Sequence, residues 1–534
     1  MPSFISGFLD EKIQQNYLEA SIDSMWLDTT QNIHYALFYQ GPKYSFENVI
    51  LDSLDQTLLK KNSVGKITGA QDYMLFRKSF IQYYADNGYP FAKIYLNQAS
   101  QKQAEISGTL KLDKGPFIIV DSLILNGPIK LSKNFLEKYL DIKEGNPYQH
   151  SKISRVSQNL DQLAFLDQIQ PPQVTFFGNY ATIDLFLQEK STSRFDLLFG
   201  VIPTNNFQDR SLFLSLDMTA ELYNKLGYGE YLFVDFERLR PEQQRFEFQF
   251  NYPYIFKWDY GLDIDFNIFR LSLDYQTLLS DVGIEYIINN RNRLKLSWNY
   301  ESSNIVELDT TQMLQTGQLP QDLDIDQNGL SVELRLNNLD HPVNPLSGRS
   351  LDFKATLGLR EIKRNADIIQ LKNQEFDFES AYDSLQLRSS RIELKTSFRN
   401  FIPIGKRNTL ASIFNAGWRY SSQRLFRNEK FQIGGNQLLR GFDEAQFFTS
   451  YYTVLSLENR LLLSENSFLN LPFVDLAMLE NNQNDPSFAI GIGGGISIET
   501  KAGLFSFSIA VGRTENIDFD LQRPKAHLGF ISLF

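Results

Sequence analysis

The sequence predicts α+β repeats of strand-helix-helix-strand-strand order, followed by an all-β, sixteen-stranded antiparallel transmembrane barrel. Three observations predict it. A segment near the N-terminus repeats itself. Near residue 192 the apolar period becomes two. From there the alternating segments run to the C-terminus, in a number that only a closed sheet accommodates without long free edges.

At 534 residues the chain is too long for one ordinary core. The expected divisions are a partial repeat at 1–40, full repeats at 41–115 and 116–191, and the barrel at 192–534. The repeat shows in Gly41-Pro42-Lys43-Tyr44-Ser45-Phe46-Glu47-Asn48-Val49-Ile50-Leu51, which aligns without gaps on Gly115-Pro116-Phe117-Ile118-Ile119-Val120-Asp121-Ser122-Leu123-Ile124-Leu125. Glu47 matches Asp121, and the last three positions are apolar in both. Tyr17-Leu18-Glu19-Ala20 and Tyr89-Pro90-Phe91-Ala92 precede the two copies, each followed by an alternating strand. Tyr73 to Asp86 has helical apolar spacing, and Gly88 ends it.

In the last repeat Leu123 to Gly127 reads as strand and turn, and Asn134 to Leu140 as a short helix. Glu144 to Tyr148 reads as a turn, Ser151 to Leu166 as a second helix, and Ile183, Leu185 and Leu187 as the closing strand. The first repeat lacks its opening strand and first helix: residues 1 to about 40 supply a helix near Leu9 and two strands ending in Ile33 to Tyr39. Met1-Pro2-Ser3-Phe4 has no basic region followed by an apolar core, so the expectation is a native start upstream, with an export signal.

After Arg194 helix signals vanish. Phe246, Phe248 and Phe250 alternate with Glu247, Gln249 and Asn251, and Leu294, Leu296, Trp298 and Tyr300 with Lys295, Ser297 and Asn299. Leu330 to Asn337, Leu351 to Leu357 and Phe505 to Val511 follow the same rule. A soluble sandwich would alternate likewise; about sixteen segments of roughly ten residues favour a barrel with a polar interior. Tight turns alternate with long polar stretches such as Ile362 to Ser384. The first barrel strand, near Phe195 to Val201, is expected to pair with the last, Leu528 to Phe534. Gly529 would weaken that seam.

Composition excludes more than it assigns. Net charge is −11, against nucleic acid or anionic lipid as a main partner, and there is no cysteine for thiolate metal sites or nucleophilic catalysis. His34, His150, His341 and His527 stand alone, without zinc spacing, so no metal or cofactor is expected. Aromatic residues make up 14%, a share that both soluble enzymes and lipid-facing barrels reach, while mean hydropathy is −0.29. Asp324-Ile325-Asp326-Gln327-Asn328-Gly329 mimics the start of a calcium loop, but Arg335 stands where a bidentate Glu belongs. Asp263 and Asp265 read as wet lumen residues rather than a general acid/base pair. No Gly-x-Ser-x-Gly elbow or phosphate loop occurs, and no catalytic residue is assigned.

Several motifs resemble one group of proteins. The Gly-Pro strand entries, Gly88-Tyr89-Pro90-Phe91-Ala92 and Gly145-Asn146-Pro147-Tyr148 are similar to POTRA modules. Asn344-Pro345-Leu346-Ser347-Gly348-Arg349 resembles a strand-connecting turn, and Gly434-Gly435-Asn436-Gln437-Leu438-Leu439-Arg440-Gly441-Phe442 resembles an Arg-Gly-Phe loop tip. Leu457-Glu458-Asn459-Arg460 follows, then Pro472-Phe473-Val474-Asp475-Leu476-Ala477, with Ala477 where a glycine is usual, the glycines 491 to 495, and a terminal aromatic, Phe534. The group is the BamA/TamA-like superfamily of outer-membrane assembly and two-partner secretion transporters, and the resemblance covers nearly the whole chain.

The resemblance implies an outer-membrane protein assembly and insertion factor, its POTRA repeats binding client strands in the periplasm and its barrel seam admitting them to the membrane. The alternative is a two-partner secretion pore for one dedicated secreted protein; three repeats look more like the TamA-type arrangement. A plain porin would need no repeat-bearing arm. Implied partners are outer-membrane lipid, unfolded outer-membrane or secreted clients, and periplasmic accessory subunits. The resemblance also implies that the loop from about Ser421 to Ser450 re-enters the lumen. Arg440 would then meet Asp475, which shares a strand face with Phe473 and Ala477, with Glu458 as a second acceptor. Gly441 would allow the sharp tip, and Phe442 would wedge against the lumen wall.

Overall fold

The computed structural model describes residues 2–28, 33–51, 67–203, 212–240, 243–256, 258–270, 274–341, 344–371, 376–405, 407–436, 438–464, 467–480, 485–500 and 503–531. Two compact units emerge: Met1–Ile129 with Leu140–Gln188, and Lys130–Tyr139 with Glu189–Phe534.

The first unit opens with a helix, Pro2–Gln14, and a hairpin of β1 (Ser21–Asp28) and β2 (Ile33–Tyr39). Phe8 of the helix meets Phe38 of β2 edge-on at 5.0 Å. Next come β3 (Ser45–Leu51), a helix Ala70–Ala85, β4 (Lys93–Lys102) and β5 (Glu105–Asp113), in a sheet ordered β3-β5-β4. The helix buries Phe76 and Phe80 against Ile94 and Leu110, as its apolar spacing predicts. The repeat in the sequence is a repeat in topology: β6 (Ile119–Asn126), β7 (Leu166–Phe177) and β8 (Tyr180–Glu189) form a sheet ordered β6-β8-β7. In both sheets the last strand lies centrally, parallel to the first. Ala181, Ile183, Leu185 and Leu187 are buried on one face of β8.

The helix expected over Ser151 to Leu166 is a correction. Two short helices, His150–Ile153 and Val156–Leu160, replace it, and β7 already begins at Leu166. Phe165 and Leu166 are buried next to one another rather than at helical spacing from Val156 and Leu160, a short apolar pair that suits a helix end or a strand entry equally. Pro171 and Pro172 lie in β7, an edge strand, where only alternate N–H groups face a partner and prolines cost less ladder than in a central strand.

The second unit contains a sixteen-stranded antiparallel sheet. Its strands are β9 (Arg194–Pro203), β10 (Leu212–Tyr223), β11 (Tyr231–Arg240), β12 (Gln243–Tyr252), β13 (Tyr260–Arg270), β14 (Tyr275–Ile287), β15 (Arg293–Ile305), β16 (Ile325–Asn337), β17 (Gly348–Ile362), β18 (Arg388–Ile404) and β19 (Asn408–Ser421). A small separate hairpin of β20 (Phe431–Ile433) and β21 (Phe447–Thr449) follows. The sheet then resumes with β22 (Tyr451–Ser464), β23 (Ser467–Glu480), β24 (Pro486–Thr500), β25 (Gly503–Thr514) and β26 (Lys525–Ile531).

Burial along these strands is inverted relative to a soluble sheet. Leu296 and Leu330 are 60% and 62% exposed, whereas Lys295 and Ser331 are 3% and 1% exposed. An apolar face turned outward and a charged face turned inward is the pattern of a barrel whose outer solvent is lipid. The rim where β9 begins carries short connections and is called the near rim; the far rim carries the long ones, 306–324, 363–387 and 422–450.

Two expectations for this region are corrected. Helices do occur in it: Thr310–Thr316, Ala366–Ile369 and Phe378–Asp383 sit in far-rim connections, capped by Asp309, Asn365 and Asp377. Each is at most 7 residues long, too short to show a period, so only its cap residue signals it. Second, the stretch from Ile362 to Ser384 is not merely polar. Ile362, Ile368, Phe378 and Tyr382 are buried in one cluster with Met313, Leu323 and Ile325, because the folded loops cover one another. The expected pairing of β9 with β26 is not seen among the described residues, and part of it, residues 532–534, lies outside them. Phe534 lies outside those residues, as does Gln437 of the loop-tip motif.

Candidate functional site

The connection from β19 to β22 returns into the barrel and carries Arg440 to the inner wall. The Arg440 backbone N–H and Nε donate to Asp475 Oδ2 at 2.9 and 2.8 Å, and Nη2 donates to Oδ1 at 2.5 Å. Nη1 donates to Glu458 Oε1 at 2.7 Å. The guanidinium also lies 3.6 Å from the centre of the Phe473 ring, which is buried on the same face of β23 as Asp475. Asp475 is 0% exposed. Strand alternation explains the meeting: Phe473, Asp475 and Ala477 point inward, and Ser456 and Glu458 do so on β22. Arg460, not anticipated as a participant, closes the cluster by donating Nε to Glu458 Oε2 at 2.8 Å.

The tip lies close against its wall. Gly441 has φ 91°, a left-handed conformation that side-chain-bearing residues rarely adopt. A Cβ on Gly491 of β24 would strike the Arg440 carbonyl oxygen, so a glycine there clears the bed for the loop. Phe442 is buried, edge-on to Phe447 at 5.2 Å, in a cluster with Leu439, Ile433, Val454 and Leu479.

The loop is fastened at its root as well, by residues that the sequence reading did not single out. Arg360 of β17 donates Nε and Nη2 to the two carboxylate oxygens of Glu429 at 2.5 and 2.6 Å, both side chains almost wholly buried. Phe426 N–H donates to Glu429 Oε2 at 2.9 Å. Arg427 Nε donates to both oxygens of Asp322 at 3.1 Å, and these bonds hold its guanidinium above the ordinary arginine value. Burial pushes the Tyr382 hydroxyl, in the far-rim cluster, up to about 12.

Deeper in the lumen, Lys295 pairs with Asp263, Asp265 and Asp281, and Lys354 Nζ donates to Asp281 at 2.6 Å. Arg391 Nη2 bridges Glu301 and Glu393 at 2.8 and 3.0 Å, and Arg419 Nε joins Glu393 at 2.7 Å. Asp263 and Asp265 thus belong to a charge network. Asp324 and Asp326 of the calcium-like stretch accept from protein donors: Asp324 from Ile305 N–H and Asn365, Asp326 from Ser302 and Tyr300. Inward-facing positions of alternating strands were the signal for the strand residues among these, Asp263, Asp265, Asp281, Lys295, Glu301 and Glu393 included, while Asp324 and Asn365 stand in far-rim connections; which pairs meet depended on register.

At the sheet's ends, Phe195 and Val201 of β9 lie opposite Ala220 and Leu214, and Leu528 and Gly529 of β26 opposite Phe507 and Ser506. Phe195 is 61% and Leu528 83% exposed. Leu198 and Phe199, on opposite faces of β9, are both exposed, and among the described residues β9 is bonded to β10 alone.

An apolar outer face, a charged interior and a loop returned into that interior define a transmembrane β-barrel with an occupied lumen. Residues 224–527, over half of the chain, match the Omp85 superfamily domain, and the chain belongs to that superfamily. Over 206 residues, 35% of this chain and 25% of the relative, it is 24% identical to an outer membrane protein assembly factor BamA of Nitratidesulfovibrio vulgaris. Over 146 residues, 27% of this chain and 17% of the relative, it is 25% identical to a BamA of Neisseria meningitidis serogroup B. The matches therefore span a quarter or less of these relatives. The fold is similar to that of BamA from Haemophilus ducreyi lacking POTRA domains 1–3, with TM-score 0.51 and 15% identity over 91% of this chain and 100% of that one. It is similar also to CdiB from Escherichia coli, with TM-score 0.52 and 13% identity over 99% and 96%.

Proposed function

We propose that this chain is an outer-membrane protein assembly and insertion factor, with its N-terminal repeats in the periplasm. The observation that carries the reading is the state of the sheet's ends: β9 and β26 have no ladder between them among the described residues. Unpaired backbone N–H and C=O groups on an edge template an incoming strand by hydrogen bonds that tolerate many sequences. The lumen, by contrast, holds the returned loop and the paired charges around Lys295 and Glu393. A polypeptide crossing through it would have to displace buried ion pairs; one entering the membrane beside β9 would not.

The repeats suit the same task. In each three-stranded sheet an edge strand, β4 or β7, has one side unpaired among the described residues, on which an extended client segment fits. The clients are unfolded barrel proteins, and the chain works by templating strands rather than by covalent chemistry. Depletion of the protein followed by quantification of the outer-membrane proteome tests the reading. Broad loss of barrel proteins is expected; loss of one secreted protein, with the others unchanged, would overturn it in favour of a dedicated secretion pore.

A further inference from the structure

At the near rim, a cavity of about 550 Å³ is lined by Ser132, Asn134, Phe135, Tyr228, Tyr252 and Phe256, with Pro253, Tyr254 and Ile255 completing its wall. That volume falls in the ~300–1,000 Å³ range of sites for small molecules. The segment Lys130–Tyr139, which clusters with the barrel, roofs it. Ser132 N–H donates to Gly227 O at 2.7 Å, and Asn134 Nδ2 donates to Phe256 O at 2.7 Å. Phe135 is edge-on to Tyr254 at 5.8 Å, and Tyr228 is tilted against Tyr252 at 5.6 Å.

The cavity continues the lipid-facing surface. Asn251 turns inward to Asp263 and Glu285, so Tyr252 faces outward, in register with Leu262. Tyr260 and Tyr286 on the next two strands extend this outward row, and Phe256 and Trp258 are 77% and 62% exposed beside it. Aromatic rings in such a row mark the level at which acyl chains give way to headgroups. A cation stands there too. Lys130 is exposed and its stem lies along Gly227, next to Tyr228. Its ammonium makes no hydrogen bond or ion pair among the described residues, whereas Lys138, eight positions on, is paired with Asp259 at 2.6 Å.

We infer that this cavity binds one phospholipid of the leaflet that meets the near rim, an acyl chain among the rings and the phosphate at Lys130. A free cation beside an apolar, aromatic-lined cavity at the membrane boundary complements a molecule that joins a phosphate to hydrocarbon. The lipid would then stand between the roofing segment and the barrel turns, bracing the rim at the point where the chain enters the sheet.

The test uses the full chain in nanodiscs of palmitoyl-oleoyl-phosphatidylglycerol, transferred to detergent and examined by native mass spectrometry. One retained phospholipid per chain is expected. Lys130→Glu reverses an exposed charge and Ser132→Phe fills the cavity; each should lower retention about tenfold or more. Trp418→Ala, on the outward face of β19, should leave retention unchanged. Equal retention in all four proteins overturns the inference, as does displacement of the bound molecule by glycerophosphate, which would mean a phosphate site without a lipid site. A co-purified polypeptide lost on Ser132→Phe, in place of lipid, overturns it as well.

Discussion

Arg440 holds Asp475 by three hydrogen bonds, one from its backbone and two from its guanidinium, at a carboxylate that is 0% exposed. Removing one member of a buried pair leaves the other charge uncompensated, at roughly 3–5 kcal/mol. Arg440→Ala and Asp475→Ala are each expected to impair function and lower barrel stability, while the double variant is little worse than either, because both delete one interaction. Arg440→Lys should recover only part, since an ammonium cannot reach Asp475 and Glu458 in the same planar fork. A double-mutant cycle read by complementation and denaturant unfolding checks this; additive losses would dissolve the pair.

The root of the loop gives a separate prediction. Arg360 and Glu429 form a two-point ion pair with both side chains buried. Glu429→Ala should free the loop root and raise single-channel conductance in planar bilayers. Replacing both residues by apolar ones of similar size should harm stability much less than either single change, because no buried charge is left alone. If Glu429→Ala leaves conductance at the wild-type level, the clasp does not close the far mouth.

The chain has no native cysteine, so the sheet ends can be locked cleanly. If the chain inserts clients as proposed, cysteines placed at Leu197 on β9 and at Ala526 or Leu528 on β26 should block that insertion when oxidised, and reduction should restore it. Full insertion by a cross-linked protein would show that β9 and β26 need not part.

Leu330 is 62% exposed, yet it should behave as a buried residue. Facing hydrocarbon, Leu330→Arg is expected to destabilise the reconstituted barrel by about 2–4 kcal/mol. Equilibrium unfolding from vesicles measures it, and a change near zero would place that face in water.

Much of this was legible in the sequence. Alternation such as Leu294-Lys295-Leu296-Ser297 specifies a strand with two unlike faces, because side chains at period two cannot mix their surroundings. The repeat starting at Gly41 and Gly115 became two sheets of one topology. Arg440, Asp475 and Glu458 could be named in advance because a recognisable loop tip brings a cation and two inward strand positions offer carboxylates.

The short far-rim helices escaped, since runs of at most 7 residues carry no period and only Asp309, Asn365 and Asp377 announce them. So did the clasp of Arg360 with Glu429, which lie 69 positions apart. Sequence alone determined which residues face lipid and which face the lumen, a local property of each strand. Tertiary structure alone decided which of the other inward charges meet and where the near rim leaves a cavity. Those outcomes depend on register and closure across the whole sheet, where a shift of one residue in any strand would exchange every partner.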